Sequence, residues 1–205
     1  VQEPDGAWVV LVGNGDNAPP NSARSGQACV VRIPIESPVQ TQTLCVNVGD
    51  STHLNGMTAV APIDTNQDQR VDRLYAADHY GDIWRFDWQN ATQKWQLSLA
   101  GKPLFKNPQP FSSDLEVGLN TLSGRTGVVV YAGTGRWLDE EDLYPNYLAT
   151  LPNHYLYAVF DEISANNAAN PSVTLPIVHT DLLEQIADLN TQTSSNFTLT
   201  PAYKG

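Results

Sequence analysis

The residues best suited to chemistry form a short acidic segment, 64–72, with the sequence Asp-Thr-Asn-Gln-Asp-Gln-Arg-Val-Asp. Oxygen-bearing side chains occupy its first, third, fifth and ninth positions, namely Asp64, Asn66, Asp68 and Asp72. Arg70, at the seventh position, would add its main-chain carbonyl oxygen. A hard cation collects roughly six to eight oxygen ligands from a loop of this kind, and three carboxylates with an amide suit Ca²⁺. The segment is therefore predicted to bind Ca²⁺ as a cofactor.

This segment departs from an EF-hand loop in two ways. Its sixth position is Gln69, where an EF-hand has Gly, and its twelfth is Tyr75 rather than a bidentate Glu. The flanking residues, 58–63 and 74–77, have the composition of strands, so we expect an EF-hand-like loop within a β-hairpin. The alternative is a solvated acidic turn, which Asp, Asn and Gln also favour. Mg²⁺ is less suited because it requires octahedral geometry and retains its waters.

The two cysteines, Cys29 and Cys45, each lie in an apolar, strand-like stretch. If these stretches pair antiparallel about a turn near residues 37–38, the two cysteines face each other and can form a cross-strand disulfide. Such a bond would stabilise the fold by about 3 kcal/mol in the chain-entropy model and would indicate an oxidising compartment. The alternative is a pair of reduced cysteines that pack as small hydrophobic residues.

No catalytic pattern is recognisable in the sequence. The histidines are far apart, at His53, His79, His154 and His179. The Gly-x-Gly triplets at 13–15 and 133–135 lack the helix and the Lys-Ser/Thr pair of a phosphate loop. We therefore predict no catalytic residues and no enzymatic activity.

Composition limits the classes of partner. The chain has 205 residues, 22 Asp plus Glu against 11 Lys plus Arg and a net charge of −11, which argues against nucleic acid. No apolar run approaches the roughly 20 residues of a membrane-spanning helix, so membrane insertion is not expected. The hydrophobic fraction of 41% is sufficient for a folded core. The start at Val1, without Met, favours a part of a longer protein.

Short runs of β-branched and aromatic residues, separated by Gly, Pro, Asn and Asp, predict an all-β fold. An apolar run ending in Gly-x-Gly at 8–15 recurs at 128–135. We divide the chain into three repeats and a remainder: 7–55, 56–99, 100–161, and an extension or start of a further blade over 162–205. Repeated sheets of this size indicate propeller blades, but a closed propeller needs about four to eight. Residues 1–205 are thus expected to form a partial or modified β-propeller, as one domain or as a fragment of a larger one.

Two local patterns complete the prediction. The alternating Trp84, Phe86 and Trp88 after the turn at Gly81 favour a hairpin with an aromatic core face, or alternatively a ligand-stacking patch. Residues 180–190 place apolar side chains at helical spacing after an Asp, which predicts one short amphipathic helix near the C-terminus.

Four segments occur in a specific order: 9–17, 57–87, 129–143 and 155–161. The most specific is 57–87, in which the acidic loop runs directly into Tyr-Ala-Ala-Asp-x-x-Gly-Asp-Ile-Trp-Arg-Phe-Asp. In this order the chain resembles the C-terminal domain of the PilY family of type IV pilus tip-associated adhesin and biogenesis proteins. The resemblance covers nearly the whole chain.

The resemblance implies a modified β-propeller, similar in shape to quinoprotein dehydrogenases but without their chemistry. It implies that the 64–72 loop binds calcium and that the protein tunes pilus extension against retraction and takes part in adhesion. Expected partners are minor pilins or other pilus-tip components, together with a host surface. The expected location is secreted, at the pilus tip, outer membrane or cell surface of a bacterium. Asn66 stands where the family often has Asp.

Two other functions remain open at this point. A quinoprotein-like dehydrogenase fragment is suggested by the spacing Ala77-Asp78-x-x-Gly81-x-x-Trp84, which resembles the tryptophan-docking repeat of that class. That spacing occurs once, and neither a catalytic Asp nor a vicinal Cys pair accompanies it. The other possibility is an extracellular domain in which calcium has a purely structural role.

Overall fold

The computed structural model describes residues 1–15, 26–46, 48–50, 53–122, 124–135, 154–163, 174–184, 187–188 and 193–194. Strands dominate these residues, and the helical ones belong to short 3-10 turns. The turns are Pro38–Gln40, Leu99–Gly101 and His179–Asp181. The all-β prediction is therefore confirmed. Within the described residues, no helix is long and apolar enough to cross a bilayer.

The first sheet is antiparallel and follows chain order. It consists of β1 (Val9–Gly13), β2 (Cys29–Pro34) and β3 (Gln42–Cys45). The 3-10 turn Pro38–Gln40 connects β2 to β3 and sets a register in which Cys29 lies directly opposite Cys45. The structure joins the two cysteines by a disulfide, with their Cα atoms 4.0 Å apart.

The central sheet is the largest. Its strands are β4 (Met57–Ile63), β5 (Arg73–Asp78), β6 (Asp82–Gln89), β7 (Lys94–Leu97), β8 (Phe105–Lys106) and β12 (Ile177–Val178). The order is β12-β8-β6-β5-β4, with β7 also paired to β6, and only the β12–β8 pair is parallel among those pairs. Every residue of β5 is buried, because other sheets cover both of its faces.

The third sheet has the order β11-β10-β9 and is antiparallel. Its strands are β9 (Glu116–Leu122), β10 (Arg125–Gly133) and β11 (Leu156–Glu162). A separate short hairpin is formed by β13 (Ala187–Asp188) and β14 (Thr193–Ser194).

Two hydrophobic clusters hold the three sheets together in chain order. In β5 the alternation of a strand sends Leu74 towards the first sheet and Tyr75 towards the third. The cluster between the first and central sheets contains Val30 and the aromatic residues Trp84, Phe86, Trp88 and Trp95. Burial of these aromatic rings agrees with a core-packing role for the hairpin rather than a ligand-stacking patch.

The three sheets overlap in part with the ranges of the predicted repeats. The long strands of the three sheets follow 7–55, 56–99 and 100–161 respectively, except that β11 extends one residue further, to Glu162. The central sheet, however, also takes β8 from the third range and β12 from the extension 162–205. The blade boundaries themselves stay a prediction.

The amphipathic helix predicted over residues 180–190 is wrong. Among the residues of this range that the structure describes, helical conformation is limited to the 3-10 turn His179–Asp181, and Ala187–Asp188 is a strand. Strand pairing accounts for part of the difference, because β13 takes its hydrogen bonds from β14. An isolated helix of about three turns is only marginally stable in water, so pairing with neighbouring strands prevails.

Candidate metal centre

The 64–72 loop connects β4 to β5 at one end of the central sheet. Ile63 and Arg73 form the last register pair of this hairpin, and the Asp72 N–H donates to the Ile63 carbonyl at 3.2 Å. Residues 66–70 are exposed, whereas the two ends of the loop are half-buried. The strands therefore fix the ends of the loop and leave its centre accessible to an ion.

The carboxylate of Asp64 organises the first half of the loop. Its Oδ1 accepts the N–H groups of Gln67 at 2.7 Å and Asp68 at 3.2 Å. Its Oδ2 accepts the N–H of Gln69 at 2.6 Å. The main chain is thus wound around the first predicted ligand, as expected for an Asp that initiates a tight turn.

Asn66 and Asp68 continue this pattern. The Asn66 Oδ1 accepts the Asp68 N–H at 2.9 Å, and the Asp68 Oδ1 accepts the Arg70 N–H at 2.9 Å. The Asn66 side-chain amide also donates to Asp68 Oδ2 at 3.3 Å. The third and fifth positions are therefore brought together on the same side of the turn.

Asp72 returns to the beginning of the loop. Its Oδ1 accepts the N–H of Thr65 at 2.8 Å, and the Thr65 hydroxyl lies within 2.9 Å of both carboxylate oxygens. Asp72, the last predicted ligand, is consequently held beside Thr65, near the first two predicted ligands.

The backbone at Gln69 resolves one departure from the EF-hand pattern. Gln69 has a φ of 72° and Gln67 a φ of 62°, both in the left-handed region. Gly is favoured in this region because it has no Cβ. The loop therefore follows a left-handed path at its sixth position although a glutamine occupies it.

The oxygen ligands of the loop suit calcium, although its three Asp carboxylates do not converge on one point. Among the described residues, no group of three or more His, Cys, Asp or Glu side chains is arranged to hold a metal ion. Asp64, Asp68 and Asp72 bind backbone N–H groups or Thr65 instead. A carboxylate offers about four lone-pair sites, and these hydrogen bonds use only some of them. Hard oxygen donors remain the ligand type that Ca²⁺ prefers.

Sequence reasoning missed the contact between this loop and the beginning of the chain. The Val71 N–H donates to the Gln2 carbonyl at 2.8 Å, and Arg70 Nη1 donates to the Pro4 carbonyl at 2.6 Å. Between these two acceptors, Glu3 is fully buried. No local pattern distinguishes a single Glu of this kind from a surface residue.

A buried charge network lies behind the loop and was also not predicted. It contains Arg73, Arg85, Asp87 and Asp161, none more than 4% exposed. Arg73 Nε donates to Asp87 Oδ1 at 2.7 Å, and Arg85 Nη2 donates to Asp87 Oδ2 at 2.7 Å. Asp161, on β11, accepts from both guanidinium groups and from the Tyr75 hydroxyl at 2.6 Å. The network therefore connects the central sheet to the third sheet.

The pKa directions in this network follow from burial and charge. Burial alone would raise the pKa of Asp87, but the hydrogen bond from Arg85 and the charges of Arg73 and Arg85 outweigh it and lower that pKa. Burial and the neighbouring Asp161 raise the pKa of Tyr75 well above its ordinary value. Asp87 is thus held as an anion and Tyr75 as a neutral donor.

The Asp78-x-x-Gly81-x-x-Trp84 motif, which resembles a quinoprotein repeat, stabilises a hairpin in this structure. The Asp78 carboxylate accepts the Trp84 indole N–H at 2.9 Å and the Asn55 amide at 3.0 Å. It also accepts the N–H groups of Tyr80 and Asp82 across the turn. Gly81 has a φ of 86°, and a Cβ there would lie 2.2 Å from the Asn107 carbonyl oxygen. The motif therefore braces the β5–β6 hairpin.

Comparison with known proteins gives a consistent result. The profile of the PilY1 beta-propeller domain family matches residues 2–200. A type IV pilus biogenesis factor PilY1 homolog from Xylella fastidiosa is 26% identical over 191 residues, covering 85% of this chain and 12% of that protein. The type IV pilus biogenesis factor PilY1 from Pseudomonas aeruginosa is 25% identical over 217 residues, covering 96% of this chain and 18% of that protein.

A solved structure shares the fold. The crystal structure of the Pseudomonas aeruginosa PilY1 C-terminal domain matches with a TM-score of 0.71 at 24% sequence identity. The match covers 92% of this chain and 41% of that domain. The chain thus corresponds to a minor part of these longer relatives.

Proposed function

The chain belongs to the PilY1 β-propeller family, and on this premise we propose that it is a non-enzymatic, Ca²⁺-binding module of a type IV pilus biogenesis protein. Its fold is that of a β-propeller domain. The names of the relatives from Xylella and Pseudomonas support the pilus role. The calcium role rests on the 64–72 loop.

One observation carries the calcium proposal: the main chain of the loop is folded around the Asp64 carboxylate, which accepts the N–H groups of Gln67 and Gln69. Asn66 and Asp68 lie on the same turn, and Asp72 is held beside Thr65. Bound Ca²⁺ would supply charge that offsets the repulsion among the three carboxylates of the two halves of the loop. Residues 64, 66, 68 and 72 would provide side-chain oxygens, and Arg70 its carbonyl.

The proposed biological role combines the calcium loop with the pilus role of the relatives. We propose that Ca²⁺ at this loop stabilises the central sheet of a domain located at the pilus or the bacterial cell surface. In that setting the domain would contribute to control of pilus extension and retraction and to adhesion. Its partners would be minor pilins or other pilus-tip components, with a host surface as the adhesion target.

Calorimetric titration with CaCl₂ tests the binding step. We expect a dissociation constant in the range of ~10⁻⁷ to 10⁻³ M, which covers sensors and extracellular modules. Asp68→Ala should weaken binding by about tenfold or more, because it removes a charged ligand. Asp114→Ala is the matched control, since Asp114 is exposed and outside the loop. Absence of heat with the wild-type protein would contradict the proposal.

The non-enzymatic part can be tested separately. The Asp78–Trp84 motif braces a hairpin, so its spacing gives no support for a cofactor site. Incubation with a quinone cofactor should produce neither a new absorbance band nor reduction of a redox dye. Turnover under these conditions would favour the dehydrogenase hypothesis instead.

A further inference from the structure

We propose that residues 2–4, here called the docking segment, position the second half of the calcium loop, and that Glu3 anchors this segment. The inference rests on the proposed calcium function. It assigns a role to residues that contribute no ligand themselves and are distant in sequence, since Pro4 is 66 positions from Arg70.

One hydrogen bond orients the peptide group between Arg70 and Val71. The Arg70 carbonyl, the proposed seventh-position ligand, and the Val71 N–H belong to the same planar peptide unit. The Gln2 carbonyl accepts that N–H at 2.8 Å. Because the unit is rigid and trans, this hydrogen bond limits the directions in which the Arg70 carbonyl oxygen can point.

A second contact secures the same residue. Arg70 Nη1 donates to the Pro4 carbonyl at 2.6 Å, although the Arg70 side chain lies on an exposed part of the loop. The docking segment therefore holds Arg70 at two points, one on its side chain and one through the following peptide group. The exposed centre of the loop is thereby connected to residues 2–4.

Glu3 anchors the docking segment. Glu3 has no exposed surface, and its Oε1 accepts Arg32 Nε at 2.7 Å and the Trp95 indole N–H at 2.6 Å. Arg32 Nη2 pairs with the other oxygen, which makes the ion pair bidentate. Arg32 lies on β2 of the first sheet and Trp95 on β7 of the central sheet. Bidentate Arg–carboxylate pairs are among the strongest charge-assisted hydrogen bonds.

These contacts connect the calcium loop to the interface between the first and central sheets. If the docking segment favours the ligand-competent orientation of Arg70, then bound Ca²⁺ must favour the docked segment by the same factor. Ca²⁺ should consequently slow amide exchange in residues 2–8 as well as in the loop.

Arg70→Ala is the decisive variant, because loss of the positive charge and loss of docking change the Ca²⁺ affinity in opposite directions. It leaves the main-chain carbonyl in place but removes the contact with Pro4. Loss of a positive charge beside the site would by itself tighten Ca²⁺ binding, whereas loss of docking weakens it. We expect calorimetry to show about a threefold to tenfold weaker affinity, the range for one net hydrogen bond. Lys102→Ala, which removes an exposed positive charge outside the loop, is the control.

Glu3→Gln tests the anchor with nearly the same side-chain shape. We expect weaker Ca²⁺ binding and loss of the Ca²⁺-dependent slowing of exchange in residues 2–8, measured by hydrogen exchange with mass spectrometry. If this buried substitution prevents folding, Arg70→Ala still decides the question because Arg70 is exposed.

The outcomes separate the two proposals. Wild-type protein that does not bind Ca²⁺ would overturn the proposed function and this inference with it. Wild-type protein that binds Ca²⁺, with an Arg70→Ala variant that binds equally or more tightly and shows unchanged exchange in residues 2–8, would overturn this inference alone.

Discussion

Asp82 is a buried carboxylate whose nearest cation is largely in solvent. It is 1% exposed, and its Oδ1 lies 3.2 Å from Nζ of Lys106, whose side chain is 55% exposed. Burial and the charge of Asp78 raise the pKa of Asp82 from 3.8 to about 6. Between these two pH values the folded state binds more protons at Asp82 than the unfolded state does. The free energy of unfolding should therefore decrease as pH rises from about 4 to about 6, and Asp82 should add no further change above that.

Replacing this carboxylate by an amide removes its titration. We expect Asp82→Asn to reduce the fall in unfolding free energy between pH 4 and 6 by about 1–2 kcal/mol. Part of the slope should remain, because burial also raises the pKa of Asp78. Urea unfolding at half-unit pH intervals, with EDTA present, measures the effect, and the exposed Asp114→Asn is the control. Equal slopes for wild type and Asp82→Asn would show that this residue does not titrate in that range.

At the scale of elements, the β2–β3 hairpin depends on its cross-link. Cys29 and Cys45 are 16 residues apart and directly opposed in the register. A disulfide here restricts the unfolded chain, so the gain in stability comes largely from the denatured state in the chain-entropy model. It also fixes the sheet that carries Arg32, the partner of Glu3.

The double variant Cys29→Ala/Cys45→Ala should therefore lose about 3 kcal/mol of unfolding free energy relative to the oxidised wild type. Urea unfolding with and without a phosphine reductant measures this difference. The reductant should destabilise the wild type by a similar amount and leave the double variant unchanged. Insensitivity of the wild type would support the alternative, in which two reduced cysteines pack as small hydrophobic residues.

At the scale of the whole molecule, the central and third sheets share a charged contact as well as a hydrophobic one. Asp161 brings β11 to Arg73 and Arg85, and Asp87 completes a set of two positive and two negative side chains. Removing one member of a buried ion-pair network leaves charge without compensation, which is strongly destabilising.

Asp161→Asn should accordingly lower the unfolding free energy by about 3–5 kcal/mol. The loss should weaken the attachment of the third sheet, so unfolding followed by tryptophan fluorescence should no longer coincide with unfolding followed by far-ultraviolet circular dichroism. The adjacent Glu162→Gln provides the control, since its side chain is 23% exposed and its contact with Arg125 is a surface ion pair. A comparable loss in the control, or coincident transitions in Asp161→Asn, would argue against a specific role for the network.

Several features follow from local sequence because they depend on neighbouring residues. Alternating apolar residues predict the strands, and the spacing of Cys29 and Cys45 about a central turn predicts their opposed positions. The position of the 64–72 loop within a hairpin follows from its strand-like flanks. The helix predicted over residues 180–190 fails for the complementary reason: local periodicity does not include β14, which competes for the backbone groups of Ala187–Asp188.

By itself, the sequence determined the all-β fold, the acidic loop and its predicted ligands, since type and spacing within about ten residues decide each of them. Only the tertiary structure revealed that Glu3 meets Trp95 across 92 positions and that Tyr75 meets Asp161 across 86. Pairs so distant leave no periodic signal, because the chain between them can take many paths. They become defined only when packing of the sheets removes water from the side chains and makes an unpartnered charge unfavourable.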